Sequence, residues 1–373
     1  MDRKHLELAV ELRHALHAHP ELSNHEEWTR AELMRFLRAH TDLAVIDRGS
    51  WFYAVYRAPQ AKRRIAFRAD HDALPIEDVC DVPYASQIPG VGHKCGHDGH
   101  SAALAAFAME VDKNGCPNDV YFIFQPAEET GDGAIQCAPL ITEEKIDEVF
   151  AFHNWPGYPL GTVCIRNGAI NCASRGMTIR MVGTPSHASM PECGKNPAFA
   201  FAELVHGVPA LLDLPWKALV LVTVIGLRVG EKAFGTQASE GELYLTIRAE
   251  QEAELDALAE KIEAMAASEA ARYGLTWSVE YCDCFPETAN DPVSADKVRA
   301  AARSLGYPVQ EMEHPKRGSE DFGHFLKRAP GAIFEIGAGV DYPQLHTAQF
   351  DFPDALIEPA VEMFKQLAAE SLE

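Results

Sequence analysis

Apolar positions in the first part of the chain change period several times. Leu6, Ala9, Leu12 and Leu16 recur at helical spacing until Pro20 stops them, and Trp28, Ala31 and Phe36 lie on a second amphipathic stretch. Ser23 stands three residues before Glu26 at the head of that stretch, the spacing of a capping box. Short apolar runs at Leu43–Ile46, Phe52–Tyr56, Ile65–Phe67, Val120–Phe124 and 148–151 are bounded by turns or charges and read as strands. Between them the Ala-rich segment Ser101–Val111 reads as a helix. Strands alternating with helices predict an α/β domain with a central, mostly parallel sheet.

The pattern shifts after Gly168. Strands are expected at Met177–Val182, Ala218–Val229, 242–249 and Leu275–Tyr281, with helices at Ala198–Leu212 and Glu252–Tyr273. These elements suffice for one compact α+β unit. Beyond Pro286–Pro292 the first style returns, with a helix near Ala295–Leu305, a strand at Ala332–Ile336 and a last helix from Pro353 onward. The expected architecture is therefore a discontinuous domain of residues 1–170 and 285–373, interrupted by an inserted α+β domain of residues 171–284. Cys282 and Cys284 alternate on a strand and are expected to pack against a neighbouring layer. His14, His17 and His19 on or beside the first helix are read as surface side chains.

Composition narrows the function classes. The 373 residues carry 33 basic against 55 acidic side chains, a net charge of −22, which argues against binding to nucleic acid. The most apolar stretch, Ala218–Leu227, is half the roughly 20 residues of a membrane helix, and no signal peptide is recognised before residue 20. Nine cysteines spread over so long a chain do not suggest a disulfide framework. A cytoplasmic protein without membrane contact is expected.

Chemistry concentrates at the predicted strand ends, where ligand sites gather in open α/β sheets. Arg68-Ala69-Asp70-His71-Asp72 follows one strand, and Gln125-Pro126-Ala127-Glu128-Glu129 follows another. His93-Lys94-Cys95-Gly96-His97-Asp98-Gly99-His100 precedes the Ala-rich helix, His153-Asn154-Trp155-Pro156 ends a third strand, and His346 follows the late one. Taken singly, each has an ordinary structural explanation; five such groups at strand ends of one domain point to metal. Two cations sharing a site need carboxylates for charge and imidazoles as neutral donors, and a Cys95 thiolate selects transition ions over magnesium or calcium. Of two adjacent glutamates, one can ligate while its neighbour accepts a proton from water. Cys95 with His97 as a nucleophile–base pair is the rival, and it leaves Glu128, Glu129, His153 and His346 without a role.

As an ordered set, these motifs, with Gly318-Ser319-Glu320-Asp321-Phe322, resemble the amidohydrolase branch of the aminoacylase/carboxypeptidase metallopeptidases. That branch includes hippurate hydrolases, auxin-conjugate hydrolases and N-acetyl-diaminopimelate deacetylases. The resemblance implies hydrolysis of N-acyl (N-acetyl or aroyl) amino acids by metal-activated water, with two divalent ions per subunit, Zn²⁺ or Mn²⁺, or alternatively Ni²⁺ or Co²⁺. It implies Cys95, His97, Glu129, His153 and His346 as ligands, Glu128 as general base and Asp72 as the group orienting a ligand. It also implies an inserted lid that forms a homodimer and carries His187, which polarises the substrate carbonyl. The chain departs from the family pattern at Pro185-Ser186 before His187, at Asn196, at Glu192, at Thr130 and Asp132, and around Gly235-Thr236-Gln237, where a lid asparagine has no match. These changes bear on the substrate. A dipeptidase of the same family and a non-catalytic binder of acyl amino acids are the alternatives.

Overall fold

The computed structural model describes residues 1–369; the end of the helix expected from Pro353 onward lies outside them. The elements run α1 (Arg3–Ala18), α2 (Glu27–His40), β1 (Ala44–Asp47), β2 (Phe52–Tyr56), β3 (Arg64–Asp70), α3 (His97–Asn114), β4 (Asp119–Gln125), α4 (Gly133–Cys137), α5 (Pro139–Glu143), β5 (Glu148–Pro156), β6 (Val163–Ile165) and β7 (Gly168–Asn171). They continue with β8 (Ala173–Val182), α6 (Ala198–Gly207), β9 (Val220–Val229), β10 (Glu240–Ala249), α7 (Glu252–Tyr273) and β11 (Thr276–Phe285). The last are β12 (Thr288–Asn290), α8 (Pro292–Ser304), β13 (Val309–Glu311), α9 (Gly323–Leu326), β14 (Gly331–Gly339) and α10 (Ile357–Ala369). The chain divides into one unit of residues 1–170, 288–315 and 321–373 and a second of residues 171–287 and 316–320.

The first unit is built on an eight-stranded sheet of order β1-β2-β4-β3-β5-β14-β6-β13. Its centre, β4-β3-β5-β14, is parallel, while β1 and β2 on one side pair antiparallel. Alternation along the central strands sends side chains to two cores. Ile65, Phe67, Val120, Phe122 and Phe124 meet α1, α3 and α10 through Leu12, Phe107 and Phe364, whereas Ala66, Tyr121 and Ile123 meet Ile141, Phe322 and Phe325 on the other side. Burial on both faces explains why these strands read as unbroken apolar runs. It also leaves their carboxyl ends as the natural place for a site.

The second unit is a four-stranded antiparallel sheet, β11-β8-β10-β9. Met177, Ile179, Met181, Leu243, Leu245 and Ile247 face Leu255, Leu258, Ile262 and Phe201 of the two helices, and the sheet's other face is more open. Cys282 and Cys284 do not pack inward as expected: both are exposed on the edge strand β11, where Asp283 takes a left-handed φ of 46° and the pairing with β8 loses register. His17 reverses the other expectation. It is fully buried between Asp98 and Asp78, at 2.8 and 3.1 Å, because the inner face of α1 packs against α3. No helix among the described residues is long and apolar enough to cross a membrane.

Candidate metal centre

Three connections bring the ligand candidates together. The chain leaves β3 at Asp70 and turns through His71 and Asp72; it leaves β4 at Gln125 and turns through Pro126–Glu129; Cys95 and Gly96 lead into α3, whose first residue is His97. Gly96 has φ +102°, and a Cβ there would stand 2.2 Å from the Asn154 side-chain oxygen, so only glycine lets this loop pass against β5. His153 projects from the carboxyl end of β5, and His346, itself at φ +60°, is tied by its amide to the Lys94 carbonyl at 2.7 Å.

The geometry is convergent. Cys95 Sγ lies 3.4 Å from His153 Nε2, and His346 Nε2 lies 3.4 Å from Glu129 Oε1. His97 Nε2 stands 3.8 Å from Glu129 Oε1 and 3.9 Å from Glu128 Oε2. Cys95, His97 and His153 form one group of donor atoms within 4.8 Å of one another; Cys95, Glu129 and His346 form a second, and His97, Glu128 and Glu129 a third. Asp72, buried, fixes two of these residues. Its Oδ1 lies 3.0 Å from His97 Nδ1, and its Oδ2 accepts from the Glu129 amide at 3.0 Å and from the Ser23 hydroxyl at 2.8 Å. This arrangement turns His97 Nε2 toward the acids.

Whether the residues suit a cation can be judged from what they lack. His97 Nε2 and Glu129 Oε1 are buried, face each other and make no hydrogen bond. Burial opposes a charged His97, yet Asp70, Asp72 and Glu129 outweigh it and raise the imidazole to about 10. Burial, with Glu129, Glu128 and Asp70, pushes the Cys95 thiol well above its ordinary range. Thiol, imidazole and carboxylate donors gathered among several buried acids fit a divalent transition ion, which would satisfy the orphaned atoms and reverse both shifts. The thiol-nucleophile alternative fares worse: Cys95 meets His153 rather than His97, and its surroundings disfavour the thiolate such a mechanism needs.

Residues 66–370 match peptidase family M20/M25/M40. The chain belongs to this family. It is 31% identical to a Bacillus subtilis (strain 168) protein named as an amidohydrolase, over 95% of this chain and 92% of that one. It is 28% identical to the N-acetylcysteine deacetylase of the same organism, over 98% and 97%. Among solved structures it is similar to a dinuclear metal binding peptidase of the M20 family from Bacillus subtilis, with 26% identity, a TM-score of 0.85 and coverage of 99% and 98%. This M20 chain is a metal-dependent hydrolase of amide bonds.

Several residues that the sequence motifs contain without an assigned role brace these candidate ligands. His100, five residues after Cys95 in the first turn of α3, is held on both nitrogens, by Asp70 Oδ1 at 2.6 Å and Asn154 Oδ1 at 2.6 Å. Arg68 braces the same layer, bonding Asp70 at 2.7 Å, Gln125 at 2.7 Å and Asp321 at 2.8 Å. Arg68 holds the Asp70 carboxyl well below its usual range despite complete burial. Ser23 and Glu26 do not form a capping box. Glu26 Oε1 accepts from the Ala127 amide at 2.7 Å, and the start of α2 is capped instead by Glu21, which accepts from Thr29 N and Trp28 N at 2.8 and 3.1 Å. A charged side chain three residues after a serine carries the same signal in both roles, so sequence spacing could not tell them apart.

His187 lies in the second unit, exposed, in the loop between β8 and α6. Its Nδ1 accepts from the Ser189 amide at 3.1 Å, which leaves the proton on Nε2 in the neutral ring.

Proposed function

We propose that this chain hydrolyses N-acyl amino acids, with N-acetyl or aroyl groups, to a carboxylate and a free amino acid. The observation that carries the reading is the split of the adjacent glutamates. Both glutamates group with His97, but Glu129 groups further with Cys95 and His346, whereas Glu128 groups further only with the carboxylates of Glu320 and Asp321. Cys95, His97, Glu129, His153 and His346 would hold two divalent ions, Zn²⁺ or Mn²⁺, with Ni²⁺ or Co²⁺ as alternatives. When bound, the ions supply positive charge at the substrate carbonyl and lower the pKa of water toward neutrality. Glu128 accepts the proton of the attacking water on its carboxylate and returns it to the leaving amine. Asp72 keeps His97 oriented, and the Nε2–H of His187 donates to the carbonyl oxygen as charge grows on it. A relative named as an N-acetylcysteine deacetylase supports an acyl amino acid as the substrate class.

In this reading residues 1–170 and 285–373 are the catalytic domain, and residues 171–284 are a lid whose closure delivers His187 and through which a cytoplasmic homodimer forms. The test is a turnover screen of N-acetyl, benzoyl and indoleacetyl amino acids, and of dipeptides, with protein reconstituted separately with Zn²⁺, Mn²⁺, Ni²⁺ and Co²⁺. Release of free amino acid from an acyl amino acid is expected. Cleavage of dipeptides alone would overturn the substrate class.

A further inference from the structure

The loop between α1 and α2 reaches the residues on either side of the acidic pair, the Ala127 amide before it and the Asp72 carboxylate that holds Glu129. Glu26, buried, accepts from the Ala127 amide at 2.7 Å. Ala127 stands immediately before Glu128 and has φ +49°, a left-handed conformation that a residue with a Cβ rarely adopts. The carbonyl of the same residue accepts from Asp132 N and Gly133 N at 3.2 and 3.0 Å, so both backbone groups of this strained position are engaged. Gly133 packs so tightly there that a Cβ would stand 1.7 Å from the Pro126 carbonyl oxygen. On the far side of the pair, Ser23 donates to Asp72 Oδ2 at 2.8 Å, the oxygen that accepts from the Glu129 amide at 3.0 Å. Residues of one short loop therefore clamp the backbone before Glu128 and the carboxylate that anchors Glu129.

We propose that Ser23 and Glu26 are positioning residues for the Glu128–Glu129 pair, Glu26 through the Ala127 amide and Ser23 through Asp72. The assignment rests on the proposed division of labour between the two glutamates. Neither residue touches substrate. Glu26 stabilises the left-handed turn that presents Glu128 to the reacting water, and Ser23 fills the third acceptor direction of Asp72, so that its other contacts, to His97 and Glu129, stay in register. Partners one step removed from the ligands commonly change metal affinity or activity by about 10- to 100-fold when removed.

The experiment compares Ser23→Ala, Glu26→Ala, Glu26→Gln and Glu21→Ala. Glu21→Ala removes the cap of α2 in the same loop and so controls for loosening. Two readouts are taken: the Zn²⁺ binding isotherm of metal-free protein, and kcat and KM on the acyl amino acid turned over best. Glu26→Ala is expected to lower kcat by about 10-fold or more with KM nearly unchanged, and Glu26→Gln, whose amide oxygen still accepts from Ala127, to restore most of it. Ser23→Ala should weaken Zn²⁺ binding by about 10-fold, and it carries the test if Glu26→Ala does not fold. Glu21→Ala should lower Tm and leave both readouts alone. Wild-type kinetics and Zn²⁺ affinity in Ser23→Ala and Glu26→Ala would overturn the proposal. So would Glu26→Gln falling as far as the alanine variant, or Glu21→Ala falling with them. Should wild type turn over no acyl amino acid, the substrate reading fails, and the Zn²⁺ isotherms still decide the positioning role.

Discussion

Replacing Gly96 by alanine probes the centre where its tolerance is smallest. Two penalties add. Holding a residue with a Cβ at φ +102° costs about 1–2 kcal/mol, as for any left-handed position. The new methyl would also stand 2.2 Å from Asn154 Oδ1 and 2.9 Å from its Cγ, so the Asn154 side chain must leave the hydrogen bond it accepts from His100 Nε2 at 2.6 Å. Overpacking of this kind costs a further 1–3 kcal/mol or so. The sum is about 2–5 kcal/mol, drawn from the loop that carries Cys95 on one side and His97 on the other. Gly90 supplies the comparison: it has φ +76° and nothing within 4 Å of its would-be Cβ, so Gly90→Ala carries only the backbone penalty. Urea unfolding of the two variants therefore separates strain from clash, and Zn²⁺ titration of each reports the ligand geometry. Gly96→Ala should be less stable than Gly90→Ala by at least about 1 kcal/mol and should bind Zn²⁺ more weakly. Equal stability of the two variants, or wild-type Zn²⁺ affinity in Gly96→Ala, would refute the argument that glycine is required there by Asn154.

Three further outcomes are expected. Glu128→Gln should keep its metal by elemental analysis while kcat falls by about a hundredfold or more, and Glu129→Gln should lose metal; the opposite pattern would exchange their roles. A chelator should abolish activity and Zn²⁺ or Mn²⁺ restore it, whereas full activity in protein shown to be metal-free would remove the basis of the mechanism. Burial opposes a charged His17, but hydrogen bonds to Asp78 and Asp98 and the charge of Asp98 outweigh it and raise the imidazole to about 9. Its folded pKa thus exceeds the unfolded value, so its stabilisation is complete below about pH 6.5 and is lost as pH rises through about 9. Denaturant midpoints measured from pH 6.5 to 9.5 should fall for wild type and much less for His17→Gln; parallel profiles would mean that His17 is not the titrating group.

Much of this protein is written locally. The change of apolar period marks β2, β3, β4 and α3 within a few residues, because burial on one or both faces of an element is a property of its own spacing. The Cys95-Gly96-His97 motif is legible for the same reason: a donor on each side of a glycine at a helix start is a short-range arrangement. That Glu128 and Glu129 are more than a solvated charged face is also legible from a strand end and a proline, while their separate roles come from the family resemblance.

What the sequence could not decide is which side chains meet and which lose their water. Cys95 and His153 are 58 positions apart and lie within 3.4 Å; Asp72 joins residues of three segments through its two oxygens. Ser23 and Glu26 carry the signal of a helix cap, yet Ser23 bonds Asp72 and Glu26 the Ala127 amide, while Glu21 takes the first amides of α2. His17 looks like a surface histidine until α3 is packed over it and two aspartates replace its solvent. Spacing along the chain sets the elements, since backbone hydrogen bonding and burial repeat with a fixed period. Partnership and charge state are set only when the sheet closes, since they depend on distances through space and on the water that folding expels.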